Sequence, residues 1–140
     1  CKKQFPKENV IVVCAEIEDQ IMSLQPNDRK DFMIDSGIKI TGLDNLIKTG
    51  YDTLGLSTFF TSGPEESRAW TIEKKSKAAD AAGVIHTDFK KKFIRAETVT
   101  HEDFIKYKGF NECKNAGKLR LEGKDYLVSD GDVMYFRVGS

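Results

Sequence analysis

Apolar positions along this chain follow two periods in turn. Val10 to Cys14 is a continuous, mostly β-branched run, the pattern of a strand buried on both faces of a parallel sheet. Pro26-Asn27-Asp28 then predicts a helix start, Phe32 to Ile34 an apolar patch, and Gly37 a stop. Leu43, Leu46, Ile47, Tyr51 and Leu54 recur at helical spacing, with Thr41 as N-cap and Gly55 as the terminating glycine. From Leu56 the spacing changes. Leu56 to Thr61 and Glu66 to Ile72 read as two strands joined by Ser62-Gly63-Pro64-Glu65, with Gly63 supplying a positive φ.

An alanine-rich helix follows from about Lys77 to Thr87, capped by Ser76, with Ala78, Ala81, Ala82, Ile85 and Phe89 on one face. Gly83 would let that helix approach a sheet. Phe93 to Val99 alternates, with Ile94 and Ala96 opposed to Arg95 and Glu97. Thr100 to Asp103 has capping-box spacing and opens a short helix through Phe104 and Ile105. Tyr126 to Val128 and Val133 to Val138 read as a second hairpin around Ser129-Asp130-Gly131-Asp132. The resulting order is α+β, one helix covering one face of a mixed sheet.

Composition narrows the classes without choosing among them. The 140 residues are 39% hydrophobic and 31% charged, as in a soluble globular chain, and net charge is zero. No apolar run approaches the roughly 18–20 residues of a membrane helix. We expect no membrane partner and a cytoplasmic location. Cys1, Cys14 and Cys113 are too widely spaced for a zinc motif or a disulfide framework.

Candidate chemistry is sparse. There is no Gly-x-x-x-x-Gly-Lys-Ser/Thr loop to hold phosphates and no Asn-Lys-x-Asp/Glu motif to read a base, so no triphosphate hydrolysis is expected. Cys113 with His86 would be a thiol–imidazole pair. The competing reading packs His86 at a helix end and gives Asp88 the following turn. No catalytic residue, metal site or cofactor is therefore assigned. The best binding candidates are Lys90-Lys91-Lys92 with Arg95, and Lys74, Lys75 and Lys77, which could meet RNA phosphates. Arg68 and Trp70 share one side of a strand and form either a stacking surface or a core tryptophan with a rim arginine. The lysines equally suit a solvated turn.

Several short signatures occur in a fixed order. They are Phe59-Phe60-Thr61-Ser62-Gly63, Arg68-Ala69-Trp70-Thr71, Ala81 through Phe89, Phe93-Ile94-Arg95-Ala96-Glu97 and Asp130-Gly131-Asp132-Val133. In that order the chain resembles the C-terminal part of the YchF (Obg-like) ATPase/GTPase family. The resemblance implies a ubiquitin-like β-grasp TGS domain over residues 57–140, a helical connector over 21–56, and over 1–20 the last strand and loop of a P-loop G domain. It places Cys14, Ala15 and Glu16 near the parent's nucleotide, ATP or GTP with Mg. It further implies a non-catalytic module that contacts the parent G domain and a ribosome, RNA or protein partner. A purely structural module packing on the G domain is the alternative. Lys75-Ser76-Lys77-Ala78-Ala79, Ser67, Lys92 and Cys14-Ala15-Glu16 depart from the family's usual residues.

Overall fold

A computed structural model describes residues 10–139. The chain divides into two compact units, Cys1–Leu54 and Gly55–Ser140.

The first unit has three helices, α1 (Ala15–Ser23), α2 (Pro26–Asp35) and α3 (Gly42–Leu54). Pro26 occupies the first turn of α2, where its missing N–H costs nothing. Thr41 Oγ1 accepts from the Asp44 N–H at 3.0 Å and caps α3, as expected. Arg29 Nε and Nη2 donate to the Leu24 and Met22 carbonyls at 3.0 and 3.1 Å, closing the C-terminal end of α1. The Gly42 N–H donates to Glu18 Oε1 at 2.6 Å. A Cβ on Gly42 would lie 2.8 Å from a Val13 methyl, so a larger residue there would push the Val13 side chain aside. Ile21 is the buried hydrophobic among the described residues here. The helical stripe of α3 is exposed instead: Leu43, Leu46 and Ile47 are half accessible and Leu54 is 71% exposed.

Val10 to Cys14 is not a strand, and Val12 is 74% exposed. A strand needs a ladder partner, and the described residues of this unit offer helices only. Cys14 instead takes the N-cap position of α1.

The second unit is built on a five-stranded sheet in the order β2-β1-β5-β3-β4. β1 (Leu56–Ser62) and β2 (Ser67–Glu73) form the expected hairpin, in register from Leu56 opposite Glu73 to Ser62 opposite Ser67. β5 (Asp132–Val138) runs parallel to β1 and antiparallel to β3 (Phe93–Thr100), whose other edge carries β4 (Arg120–Glu122). α4 (Ala78–Ile85) and α5 (Thr87–Lys91) precede β3, and α6 (His101–Tyr107) and α7 (Phe110–Asn115) follow it. Buried Ala78 and Ala81 of α4 let that helix sit close on Phe59, Ile72, Ala96 and Met134, one face of the sheet. The other face packs Val99 and Val133 against Cys113, Phe104 and Phe110.

The structure corrects several expectations. The alanine helix stops at Ile85 because His86 is extended (φ −158°), and Ser76 does not cap it but donates to the Glu73 carbonyl at 2.7 Å. Ile94 sits at a β-bulge and is 59% exposed. Gly63 has no positive φ; its N–H closes the turn onto the Glu66 carbonyl. Gly83 abuts Lys90 of α5 and not the sheet. Tyr126 to Val128 joins residues 76–78 through the Ala78 N–H to Tyr126 and the Val128 N–H to Ser76, so the second hairpin does not form. β4 and α7 carry too little period to be expected.

The Asp130-Gly131-Asp132 signature has a structural task. Asp130 Oδ1 accepts from the Thr58 N–H at 2.7 Å, and Gly131 takes φ +82°, which only glycine adopts cheaply. Asp132, 2% exposed, accepts from Arg120 Nη2 at 3.0 Å, the Tyr126 hydroxyl at 2.7 Å and the Ser129 N–H at 2.9 Å.

Candidate functional site

The basic residues singled out in the sequence fall on β2, the turn after it, α5 and the start of β3, and three of them face carboxylates. Lys77 Nζ is 2.8 Å from Asp125, Lys90 Nζ is 2.7 Å from Asp80, and Arg95 is 4.0 Å from Glu97. The Asp125 hydrogen bond raises the Lys77 pKa, and the same bond lowers that of Asp125. Lys74 is exposed and has a partner of its own, while Lys75 takes the left-handed region at φ +66°. Lys91 ends α5 and Lys92 is its C-cap, both exposed and without a carboxylate partner among the described residues. They belong here because His86 Nδ1 accepts from the Asp88 N–H at 3.2 Å and starts the helix that ends on them.

Trp70 is not a free stacking platform. Its ring stacks at 6.5 Å on core Phe59, its Nε1 donates to Thr61 Oγ1 at 2.9 Å, and the Arg68 guanidinium lies 4.2 Å from its ring centre. This is the core tryptophan with a rim arginine, its cation held over the ring.

The cationic end of the sheet includes residues that the sequence reading missed. The Gly139 N–H donates to the Lys92 carbonyl, which brings the end of β5 beside Lys92. Arg95 and Arg137 are directly opposed across β3 and β5, and Arg137 Nε donates to Glu97 Oε1 at 2.9 Å. That bond raises the Arg137 pKa, so the guanidinium is a fixed cation. Period-two alternation of Val133, Tyr135 and Arg137 was the available signal.

A thiol–imidazole pair is not assembled, and His86 sits at a helix end as the competing reading has it. Cys113 is buried with Val99 and Val133, and its Sγ donates to the Asp103 carbonyl at 3.4 Å, whereas His86 is an exposed helix cap. Burial pushes the Cys113 thiol up from 9.0. Its folded-state pKa exceeds the unfolded value, so its contribution to stability is present below pH 9 and is lost as pH rises above it. Tyr126, raised first by burial from 10.0, acts in the same direction. Denaturant titrations should show declining stability from about pH 9 upward, and Cys113→Ala should shallow the first part of that decline. An unchanged slope in the variant would refute the assignment to Cys113.

Cys14, Ala15 and Glu16 form the exposed first turn of α1, not a loop after a strand. The nearby cavity, of about 510 Å³, is lined by Val13, Ile21, Met33 and Leu46 with Glu18 and Arg29, and none of the three reaches it. Among the described residues no group of three His, Cys, Asp or Glu side chains could hold a metal ion. No helix of theirs is long and apolar enough to cross a membrane.

Comparison with known proteins agrees with the fold. Residues 56–139 match the family YchF-GTPase_C, described as a protein of unknown function (DUF933). The chain is 54% identical over 128 residues to the "Ribosome-binding ATPase YchF" of Haemophilus ducreyi and 53% identical to that of Bacillus subtilis. Each match covers 91% of this chain and 35% of the relative, so the chain spans about a third of their length. The solved Schizosaccharomyces pombe YchF GTPase superposes with a TM-score of 0.76 at 34% identity, over 97% of this chain and 36% of that one.

Proposed function

Because this chain belongs to the YchF-GTPase_C family and corresponds to a C-terminal region of YchF proteins, we propose that it is their non-catalytic, cytoplasmic, ribosome-facing module. In this reading residues 57–140 are a β-grasp TGS domain. Support comes from the parallel β1–β5 pair at the sheet's centre, the antiparallel arms on either side and α4 across one face. Nucleotide chemistry, with ATP or GTP and Mg, belongs to the remaining length of the parent protein. The module binds no cofactor itself and reports the parent's nucleotide state to ribosomal RNA.

The observation that carries this reading is the exposed Lys91–Lys92 step, which stands beside Arg95 and has no carboxylate partner among the described residues. Phosphates that replace condensed counterions there give salt-dependent binding. Cosedimentation with ribosomes should show Lys91→Glu/Lys92→Glu weakening retention about tenfold at low salt and flattening the salt slope by about two. Retention that ignores both substitutions would reject the lysine step as the contact. The substitution of Lys90 is a poorer probe, since it also breaks the pair with Asp80.

A second reading rests on α3. Its exposed stripe of Leu43, Leu46, Ile47 and Leu54 is a docking face of the kind that a large neighbouring domain covers. Residues 10–54 would then be the part that packs on the parent's G domain, with Cys14, Ala15 and Glu16 near its nucleotide. In the full-length protein Leu46→Asp/Ile47→Asp should alter nucleotide turnover and leave the sheet unit folded. Unchanged turnover would argue against that packing.

A further inference from the structure

We propose that β2 pairs with β2 of a second copy of this chain, antiparallel and about a two-fold axis at Trp70, so that two sheets join edge to edge.

β2 is an outer strand of the sheet. Its 7 residues run in unbroken register with β1, without proline or bulge, so the usual devices that blunt an edge are missing. Backbone direction alternates along it. The Lys74 N–H donates to the Gly55 carbonyl and the Gly63 N–H to the Glu66 carbonyl, which turns the even-numbered residues towards β1. Ser67, Ala69 and Glu73 therefore aim their N–H and C=O groups away from the sheet, and all are exposed. Ser67 and Ala69 are also small, which leaves room for another backbone.

Charge selects the occupant. Glu65 and Glu66 stand immediately before β2, and Lys74 and Lys75 immediately after it, all exposed. Glu65, Glu66 and Lys75 have no ion-pair partner among the described residues. An antiparallel copy lays its basic end along this acidic end, and the two-fold axis repeats the match at the other end. A uniformly acidic or uniformly basic strand would suit one end and be repelled at the other.

Full overlap of the two strands also fixes the register. Ser67 falls opposite Glu73, Arg68 opposite Ile72, and Trp70 opposite its own counterpart, an aromatic cross-strand pair on the α4 face. A slip of one residue would turn the apolar side chains to the wrong face. A slip of two brings Glu65 alongside Glu73 in one direction and Arg68 alongside Lys74 in the other, like charges in both cases.

The test is sedimentation equilibrium of the whole chain, which should show monomers exchanging with dimers, weakly because an edge contact is small. Glu65→Lys and Lys75→Glu should each weaken the dimer at least about threefold at low salt. Mixing these two variants should restore association, because each supplies the charge that the other has lost. Ala69→Pro removes an outward donor, spares the ladder to β1 and should abolish the dimer. Circular dichroism melts check that the variants fold, and the charge variants decide the matter if the proline variant does not. Trp70 is the chain's single tryptophan, so its emission should change with concentration in step with the dimer fraction. A wild-type chain that stays monomeric up to about 1 mM overturns the proposal. So does a dimer that is indifferent to Glu65→Lys and Lys75→Glu, or one that leaves the Trp70 emission unchanged, since either places the contact on another surface.

Discussion

Replacing Phe59 by Ala should cost the sheet unit about 3–5 kcal/mol. Phe59 is fully buried at the centre of the face under α4, stacked on Trp70 and met edge-on by Phe136 at 5.9 Å. Truncation removes both ring contacts and leaves a void bounded by strands that cannot close over it. A domain of this size loses roughly 4–8 °C of melting temperature per kcal/mol, so the unfolding midpoint should fall by more than about 12 °C. The contrasting substitution is Phe60→Ala. Phe60 lies on the other face, half-buried beside Val99 and Val133, and should cost clearly less. Equal losses at the two positions would show that the unit does not have its principal core under α4.

Asp132→Ala should be of similar size, about 3–5 kcal/mol, for an electrostatic reason. The carboxylate draws a guanidinium, a phenol and a backbone N–H into one buried site, and Arg120 also donates to the Tyr126 hydroxyl at 3.2 Å. Removing it leaves the Tyr126 hydroxyl and the Ser129 N–H without this acceptor and leaves Arg120 with Glu122 alone, at 3.6 Å, as a carboxylate partner. Arg120 is itself half exposed, which lets water recover part of the loss and favours the lower end of the range. Asp132→Asn keeps the shape and loses the charge, so it should fall between wild type and Asp132→Ala in chemical denaturation. A double-mutant cycle with Arg120→Ala should show coupling above about 1 kcal/mol. Strict additivity would mean that the two groups are stabilised independently.

The sequence made the long elements legible and the short ones opaque, for identifiable reasons. α3 and the β1–β2 hairpin carry complete periods and their own end signals, Thr41 with Gly55 and the Ser62–Glu66 turn. β4 has three residues, of which Arg120 and Glu122 are charged, and it exists because β3 offers an edge. Tyr126 to Val128 has strand composition, yet Asp132 and the residues around Ser76 claim its polar groups first. Individual contacts in the binding region were equally hidden. Lys90 and Arg95 look like free cations until the fold supplies Asp80 and Glu97 as partners. Trp70 looks available until Phe59 and Arg68 are seen against it. Arg137 needed the register with β3 before its place opposite Arg95 meant anything.

Ile21 stands nearly alone as interior between residues 10 and 54, and this sets how the backbone breathes. Amides of α1 to α3 should exchange with deuterium through cheap local openings. Those of β1, β3 and β5 wait for wholesale unfolding, so a single exchange time course separates into a fast and a slow population at Gly55.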